Sequence, residues 1–173
     1  MSSYLSSYAS FKHLPSAISS PSLYAATKGR GKGGEVKTMI NYTDSLEGIT
    51  PVHLTGFFVG WPNPPSPDNH LRILGGSQHF LLALDSDTGQ VVGFITALSD
   101  GVSAAYIPHL EVLPDYQGQG IGTELVRRML DKLRHLYMID LICDADIQPF
   151  YERLGMRPYS GMIKRNYDRQ ACD

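Results

Sequence analysis

Val112-Leu113-Pro114-Asp115-Tyr116-Gln117-Gly118-Gln119-Gly120-Ile121-Gly122-Thr123 joins the end of an apolar, extended segment to the start of a long amphipathic helix through a glycine-rich turn. Three glycines at alternate positions remove Cβ atoms, so backbone N–H groups can approach an anion closely while the helix N-terminus adds its partial positive charge. The stretch reads as a cradle for phosphate. The helix behind it is signalled by Ile121, Leu125, Val126, Met129, Leu130, Leu133 and Leu136 on one stripe, at helical spacing. Arg127, Arg128, Lys132 and Arg134 lie between them as a solvated face. The turn lacks the Gly-Lys-Ser/Thr ending of a nucleotide P-loop. A dinucleotide fold also fits poorly, because its glycine fingerprint follows the first strand of a βαβ unit.

Working outward, Thr50-Pro51 is a cap-plus-proline signal opening a helix over 52–59, and Ser66-Pro67 repeats it for a second helix that Gly75-Gly76 terminates. Between them Trp61-Pro62-Asn63-Pro64-Pro65 is a stiff loop. Segments 80–84 and 91–98 read as an antiparallel hairpin around Asp85-Ser86-Asp87-Thr88-Gly89. A third strand over 104–112 delivers the chain to the cradle. Beyond the long helix, 138–143 reads as a buried strand, 147–154 as a short helix ended by Gly155, and 162–167 as a last strand. This element order gives a mixed α/β layer around one sheet.

A chain of 173 residues, 42% hydrophobic, can bury one good core. The reading is one folded unit over 39–173 with a flexible extension over 1–38. Net charge of -2 argues against a nucleic-acid partner bound through a basic surface. No apolar run approaches the roughly 18 residues that span a bilayer. The cysteines, Cys143 and Cys172, suggest neither a disulfide framework nor a zinc site, and Cys143 reads as a buried small hydrophobe. His53, His70, His79 and His135 lack metal-ligand spacing, so no metal is assigned. Residues 1–34 carry no Asp or Glu, many serines and scattered basic residues. That composition is read either as an organelle transit peptide for plastid or mitochondrion, or as a tail or over-extended start with the protein in the cytoplasm.

Gln117-Gly118-Gln119-Gly120-Ile121-Gly122 matches a Gln/Arg-x-x-Gly-x-Gly/Ala signature, and Phe150-Tyr151-Glu152-Arg153-Leu154-Gly155-Met156 matches a Phe-Tyr-x-x-x-Gly-Phe segment with Met156 in the last place. On these two ordered motifs, residues 39–167 resemble the GCN5-related N-acetyltransferase (GNAT) superfamily. The resemblance implies a single-domain α/β fold with a mixed, mostly antiparallel sheet flanked by helices. It also implies acetyl-CoA as donor, its pyrophosphate on the amides of Gln117, Gly118, Gln119, Gly120, Ile121, Gly122 and Thr123. The backbone of Leu110, Glu111 and Val112 is implied to meet the pantetheine arm, with an amide near Val112 as oxyanion donor. Asp144 falls where relatives often place an Asn against the cofactor, a departure that also admits a structural role.

Tyr151 matches the tyrosine thought to protonate the departing thiolate, a task suited to a phenol that is neutral at pH 7. Strict alternation on the strand ending at Val112 puts Tyr106, Pro108 and Leu110 on one face and His109 and Glu111 on the other. Relatives place their base on the face that here carries Tyr106 and Pro108. Glu111 is taken as catalytic base if Pro108 makes a bulge that re-aims it. The alternatives are a water relay through Tyr106, a surface hydrogen-bonded His109, and an edge-strand solubilising role for Glu111. Acceptor recognition is assigned to Phe57, Phe58, Trp61, Pro62 and Asn63, with Tyr106 across from them; in the bland alternative Phe57 and Phe58 are core and only Trp61 lines the cleft. Aromatic walls favour a partly apolar amine, small or on a protein, over a polyamine. The protein is expected to be a monomer or homodimer. With no unambiguous base, a non-catalytic acyl-CoA-binding regulatory module stands as the rival reading.

Overall fold

In the computed structural model, residues 39–172 are described. The extension expected over 1–38, with its two readings, lies outside them. Five strands form one sheet in the order β1-β2-β3-β4-β5: β1 (Ile40–Thr43), β2 (His79–Asp85), β3 (Val91–Ser99), β4 (Ala104–Val112) and β5 (Met138–Asp140). The first four are antiparallel, and β5 runs parallel to β4. The mixed, mostly antiparallel α/β sheet expected from the sequence is therefore present. Among the described residues no helix is long and apolar enough to cross a membrane.

One face of the sheet is covered by α2 (Ile121–Leu133), which buries Ile121, Leu125, Val126, Met129 and Leu133 against Ile95, Ala97, Ala105 and Ile107. Gly93 lets that helix come close: a Cβ there would lie 3.2 Å from Leu125 and 3.3 Å from Ile121. The other face carries α1 (Pro67–Gly76) and a 3₁₀ turn over Pro51–Leu54, which bury Leu54, Phe57, Phe58 and Leu74 against Leu82 and Phe94. Ser66 caps α1 by accepting from the Asn69 amide, as the cap-plus-proline signal required.

Three expectations are corrected. The helix over 52–59 is one 3₁₀ turn, because Gly56 and Gly60 take left-handed φ of 85° and 81° and end it. The strand over 138–143, expected to be buried, stops at Asp140, where the chain leaves β4, and its Met138 and Asp140 are exposed with only Ile139 half-buried. Residues 162–167 form no strand and pair with no edge among the described residues. The structure adds β1, a four-residue strand whose half-buried pattern carries little apolar signal.

Candidate active site

The site is built where β4 parts from β5. Their pairing runs only from Ala104↔Met138 to Tyr106↔Asp140; beyond it β4 continues for six residues without a neighbour on that side. Leu113 N–H donates to Val92 C=O at 2.9 Å, and the register sets Glu111 opposite Phe94. In an antiparallel ladder this phase turns the backbone of Glu111 toward β3 and the amides of Leu110 and Val112 toward the opening. The Gln117 side chain bonds the Val112 carbonyl at 2.9 Å from that open side. Of the three residues expected to offer backbone there, Leu110 and Val112 do so and Glu111 does not.

The strict alternation expected for β4 fails, for the reason Pro108 suggested. Register shifts by one residue between Thr96↔His109 and Leu98↔Tyr106, which is a bulge at Ile107 and Pro108. Below it Ala105 and Ile107 face α2; above it Leu110 and Val112 do. Tyr106, His109 and Glu111 consequently share the opposite face, opposite Leu98, Thr96 and Phe94 respectively.

Two of the side chains on that face, Glu111 and His109, are held by hydrogen bonds. Glu111 accepts from two successive amides, Phe58 N–H at 2.8 Å and Val59 N–H at 3.0 Å. Burial pushes its carboxyl pKa up, and those two bonds oppose the shift. Phe58 sits at φ 60°, a left-handed conformation that a bulky residue adopts only when its surroundings impose it; Glu111 supplies that restraint. It is thus neither exposed nor a solubilising charge. His109 Nδ1 lies 2.9 Å from the Thr96 hydroxyl, and burial lowers its pKa to about 4, so the ring is neutral at pH 7. It is hydrogen-bonded as expected, but half-buried rather than on the surface.

Phe58, Trp61, Phe94, His109, Glu111 and Tyr151 line a cavity of about 140 Å³ that also touches Leu110, Val112, Cys143 and Asp144. Tyr151, on α3 (Gln148–Glu152), is 8% exposed. Burial and neighbouring Cys143 push its phenol pKa above the ordinary value. Cys143 is half-buried in the same wall rather than enclosed in the core. Residues assigned to the acceptor separate: Phe57 is core, stacked edge-on to His70 and Phe94, while Phe58 and Trp61 reach the cavity. Asn63 is exposed, and its amide donates to the Gln170 side chain at 3.0 Å. Tyr106 lines a wider groove of about 890 Å³ that shares Leu141, Ile142, Cys143 and Tyr151 with the cavity. Asp144 is exposed at the cavity rim.

The cradle has its own frame. Gly118 and Gly120 take φ of 74° and 85°, and a Cβ on either would meet nothing within 4 Å. Ile121, Gly122 and Thr123 open α2, so their amides have no partner within the helix. The Gln117 amide, counted with them from sequence, is spent instead on the Pro114 carbonyl at 3.2 Å. Gln119 bonds the Asp115 carbonyl through its side chain. The positive-φ glycines and the free helix amides fit a pyrophosphate.

Sequence reading missed Thr96, Phe94 and His70. His70 is 1% exposed, and neither ring nitrogen has a hydrogen-bond partner at good geometry among the described residues. Burial lowers its pKa to about 4 against a smaller opposing pull from the Leu54 backbone, so a neutral imidazole packs as an aromatic among Phe57, Phe58 and Phe94. A lone histidine on a helix gives no sign of this in one sequence.

The model of the acetyltransferase (GNAT) family matches residues 46–156. A solved structure of a candidate acetyltransferase from Deinococcus radiodurans R1 is 53% identical, with a TM-score of 0.74 over 76% of this chain and 92% of that one. The uncharacterized N-acetyltransferase ycf52 of Pyropia yezoensis is 30% identical over 100 residues, 56% of this chain and 58% of its own. The GCN5-related N-acetyltransferase 3, chloroplastic, of Arabidopsis thaliana is 40% identical over 74 residues, 42% of this chain and 31% of its own. The chain thus spans less than two thirds of the length of these curated relatives.

Proposed function

The chain belongs to the GNAT acetyltransferase family, and from that premise we propose that it transfers an acetyl group from acetyl-CoA to a primary amine, small or on a protein, by direct attack. The observation that carries this reading is the parting of β4 from β5 beside the glycine cradle, with Tyr151 in the wall of the cavity between them. Bound there, acetyl-CoA supplies an activated thioester.

In this reading the amides of Gly118, Gln119, Gly120, Ile121, Gly122 and Thr123 hold the pyrophosphate, and those of Leu110 and Val112 orient the pantetheine arm. The Val112 amide is then the donor placed for developing oxyanion charge. The Tyr151 hydroxyl keeps a proton for the leaving sulfur. Phe58 and Trp61 form an apolar wall for the amine. His109 is neutral at working pH; in the tautomer whose Nδ1–H donates to the Thr96 hydroxyl its other ring nitrogen is an acceptor, a weakly basic one because burial lowers its pKa to about 4. Glu111, with both oxygens on backbone amides, serves as the anchor of the Phe58 turn.

The anchor and base roles of Glu111 separate in Glu111→Gln. One of the two amides would face an NH₂ group instead of an acceptor; an unsatisfied buried donor costs about 1–3 kcal/mol, an upper bound here because the Phe58 bond is part-buried and the Val59 bond exposed. Lower thermal stability and an acceptor KM raised several-fold are expected, with the pH profile of kcat keeping its shape. Loss of the acidic limb of that profile at unchanged KM would instead make Glu111 the base.

The function itself is tested by thiol release from acetyl-CoA with the full chain and a panel of primary amines. Amine-dependent turnover, best with partly apolar amines, is expected. Tight CoA binding with no amine-dependent turnover would favour the rival, a non-catalytic acyl-CoA-binding module.

A further inference from the structure

The turn between Leu113 and Gly120 is held to the sheet by a bond from outside itself. Tyr116 Oη donates to Asp85 Oδ2 at 2.6 Å, across a separation of 31 residues. Asp85 ends β2 and is 4% exposed. Its other oxygen accepts from Asp87 N–H at 2.8 Å and Thr88 N–H at 3.2 Å, and its carbonyl accepts from Gly89 N–H at 2.8 Å. The carboxylate therefore belongs to a closed β2–β3 turn that is rigid by its own bonding. The phenol bond is also the largest influence holding the Asp85 pKa below its usual value. A short phenol–carboxylate bond of this kind is charge-assisted and strong.

On the cradle side, Tyr116 stands just ahead of the two glycines that shape the turn. Gly118 and Gly120 both have left-handed φ and are exposed, and glycine populates that region and its mirror about equally. Nothing in the glycines themselves keeps the turn in a binding shape. Its ends are fixed by Leu113 N–H on Val92 and by Ile121 in the core; within it Tyr116 N–H on Leu113, Gln117 N–H on Pro114 and the Gln119 side chain on Asp115 shape a single 3₁₀ turn, and its middle is tied to the sheet by the Gln117 side chain on Val112 and by Tyr116 on Asp85. We propose that Asp85 and Tyr116 are positioning residues for the donor: a latch that pre-organises the cradle for the pyrophosphate of acetyl-CoA. The inference rests on the donor reading above. A latch of this kind acts on affinity, since it removes ordering that the ligand would otherwise have to impose.

Tyr116→Phe is the cleanest test, because it removes one oxygen and leaves the Asp85 turn bonds in place. Direct titration with CoA is expected to show a Kd raised about tenfold. At saturating acetyl-CoA, kcat and the acceptor KM should stay within about twofold of the starting protein. Asp85→Asn should raise the CoA Kd as well, and Tyr116→Phe/Asp85→Asn together should do little more than the larger single effect, as expected of two halves of one contact. An unchanged Kd with only a lower melting temperature would make the pair a structural contact and overturn the latch. So would fully additive effects. If the starting protein binds no CoA, the donor reading falls first and the latch with it, an outcome distinct from equal binding by protein and variant.

Discussion

Tyr151→Phe is expected to lower turnover about 100-fold while acetyl-CoA affinity stays within about twofold. The substitution keeps the ring, which is what the fold uses: Tyr151 is 8% exposed and packs edge-on to Phe150 at 4.9 Å between centroids. On the proposed mechanism the hydroxyl serves the chemistry, and Tyr151 lines the cavity with Cys143, Leu110 and Val112. Burial first and Cys143 second push the phenol pKa above 10. The sign of that shift is the one the proposed acid role needs. A raised pKa keeps the proton on the oxygen throughout the working range, so Tyr151 cannot serve as a base for the amine. It can give its proton to a sulfur as thiolate charge develops. Tyr151 ionisation should consequently add no alkaline limb to the kcat profile below about pH 10. Steady-state kinetics at saturating acetyl-CoA with a titration of CoA binding check both halves. Unchanged turnover would remove Tyr151 from the mechanism, and a collapse of affinity would make it a packing residue.

How far the sequence carries the site is seen best on β4. Its existence, its length and its arrival at the cradle follow from the apolar run ending at Val112 and the glycines behind it. The face of each side chain does not follow, because period-two alternation holds only while the ladder is regular. Pro108 has no N–H to give, and the extra residue it accompanies turns His109 and Glu111 onto the face of Tyr106. The proline was a visible signal; which way the phase would settle was not. Glu111 shows the same boundary in energetic form. A glutamate near a strand end reads as base or solvated charge, and its partners, the amides of Phe58 and Val59, lie more than 50 residues away. A separation of 31 residues hides the Tyr116–Asp85 bond in the same way. Local signals did better where structure is local: Ser66-Pro67 starts α1, and the stripe from Ile121 becomes the buried face of α2. Even the cap at Thr50 was legible, with His53 Nδ1 accepting from the Thr50 amide at 3.1 Å. Two positive-φ glycines then limited that helix to a turn.

Gly120→Val is expected to weaken acetyl-CoA binding on the order of 100-fold, about 2.7 kcal/mol, in a protein that still folds. Gly120 is the N-cap of α2 at φ 85°, ψ 0°. A β-branched residue is a marked outlier there, and leaving the left-handed region would rotate the amides on either side of it out of the cradle. The Cβ meets nothing within 4 Å, so the substitution threatens no packed neighbour and leaves the core of α2 alone. What it disturbs is the space an anion would enter and the aim of the N–H groups around it. Gly122 is the internal control. Its φ is not left-handed, and a Cβ there would make ordinary contacts, 3.6 Å to Val112 and 4.0 Å to Phe150. Gly122→Ala should therefore bind acetyl-CoA within a few-fold of the starting protein, helped by the better helix propensity of alanine. Circular dichroism and thermal melts establish folding, and calorimetric titration with CoA gives the affinities. Normal affinity in Gly120→Val would contradict the pyrophosphate assignment. Equal, large losses at both positions would show that crowding at the helix start, rather than the left-handed turn at Gly120, governs the cradle.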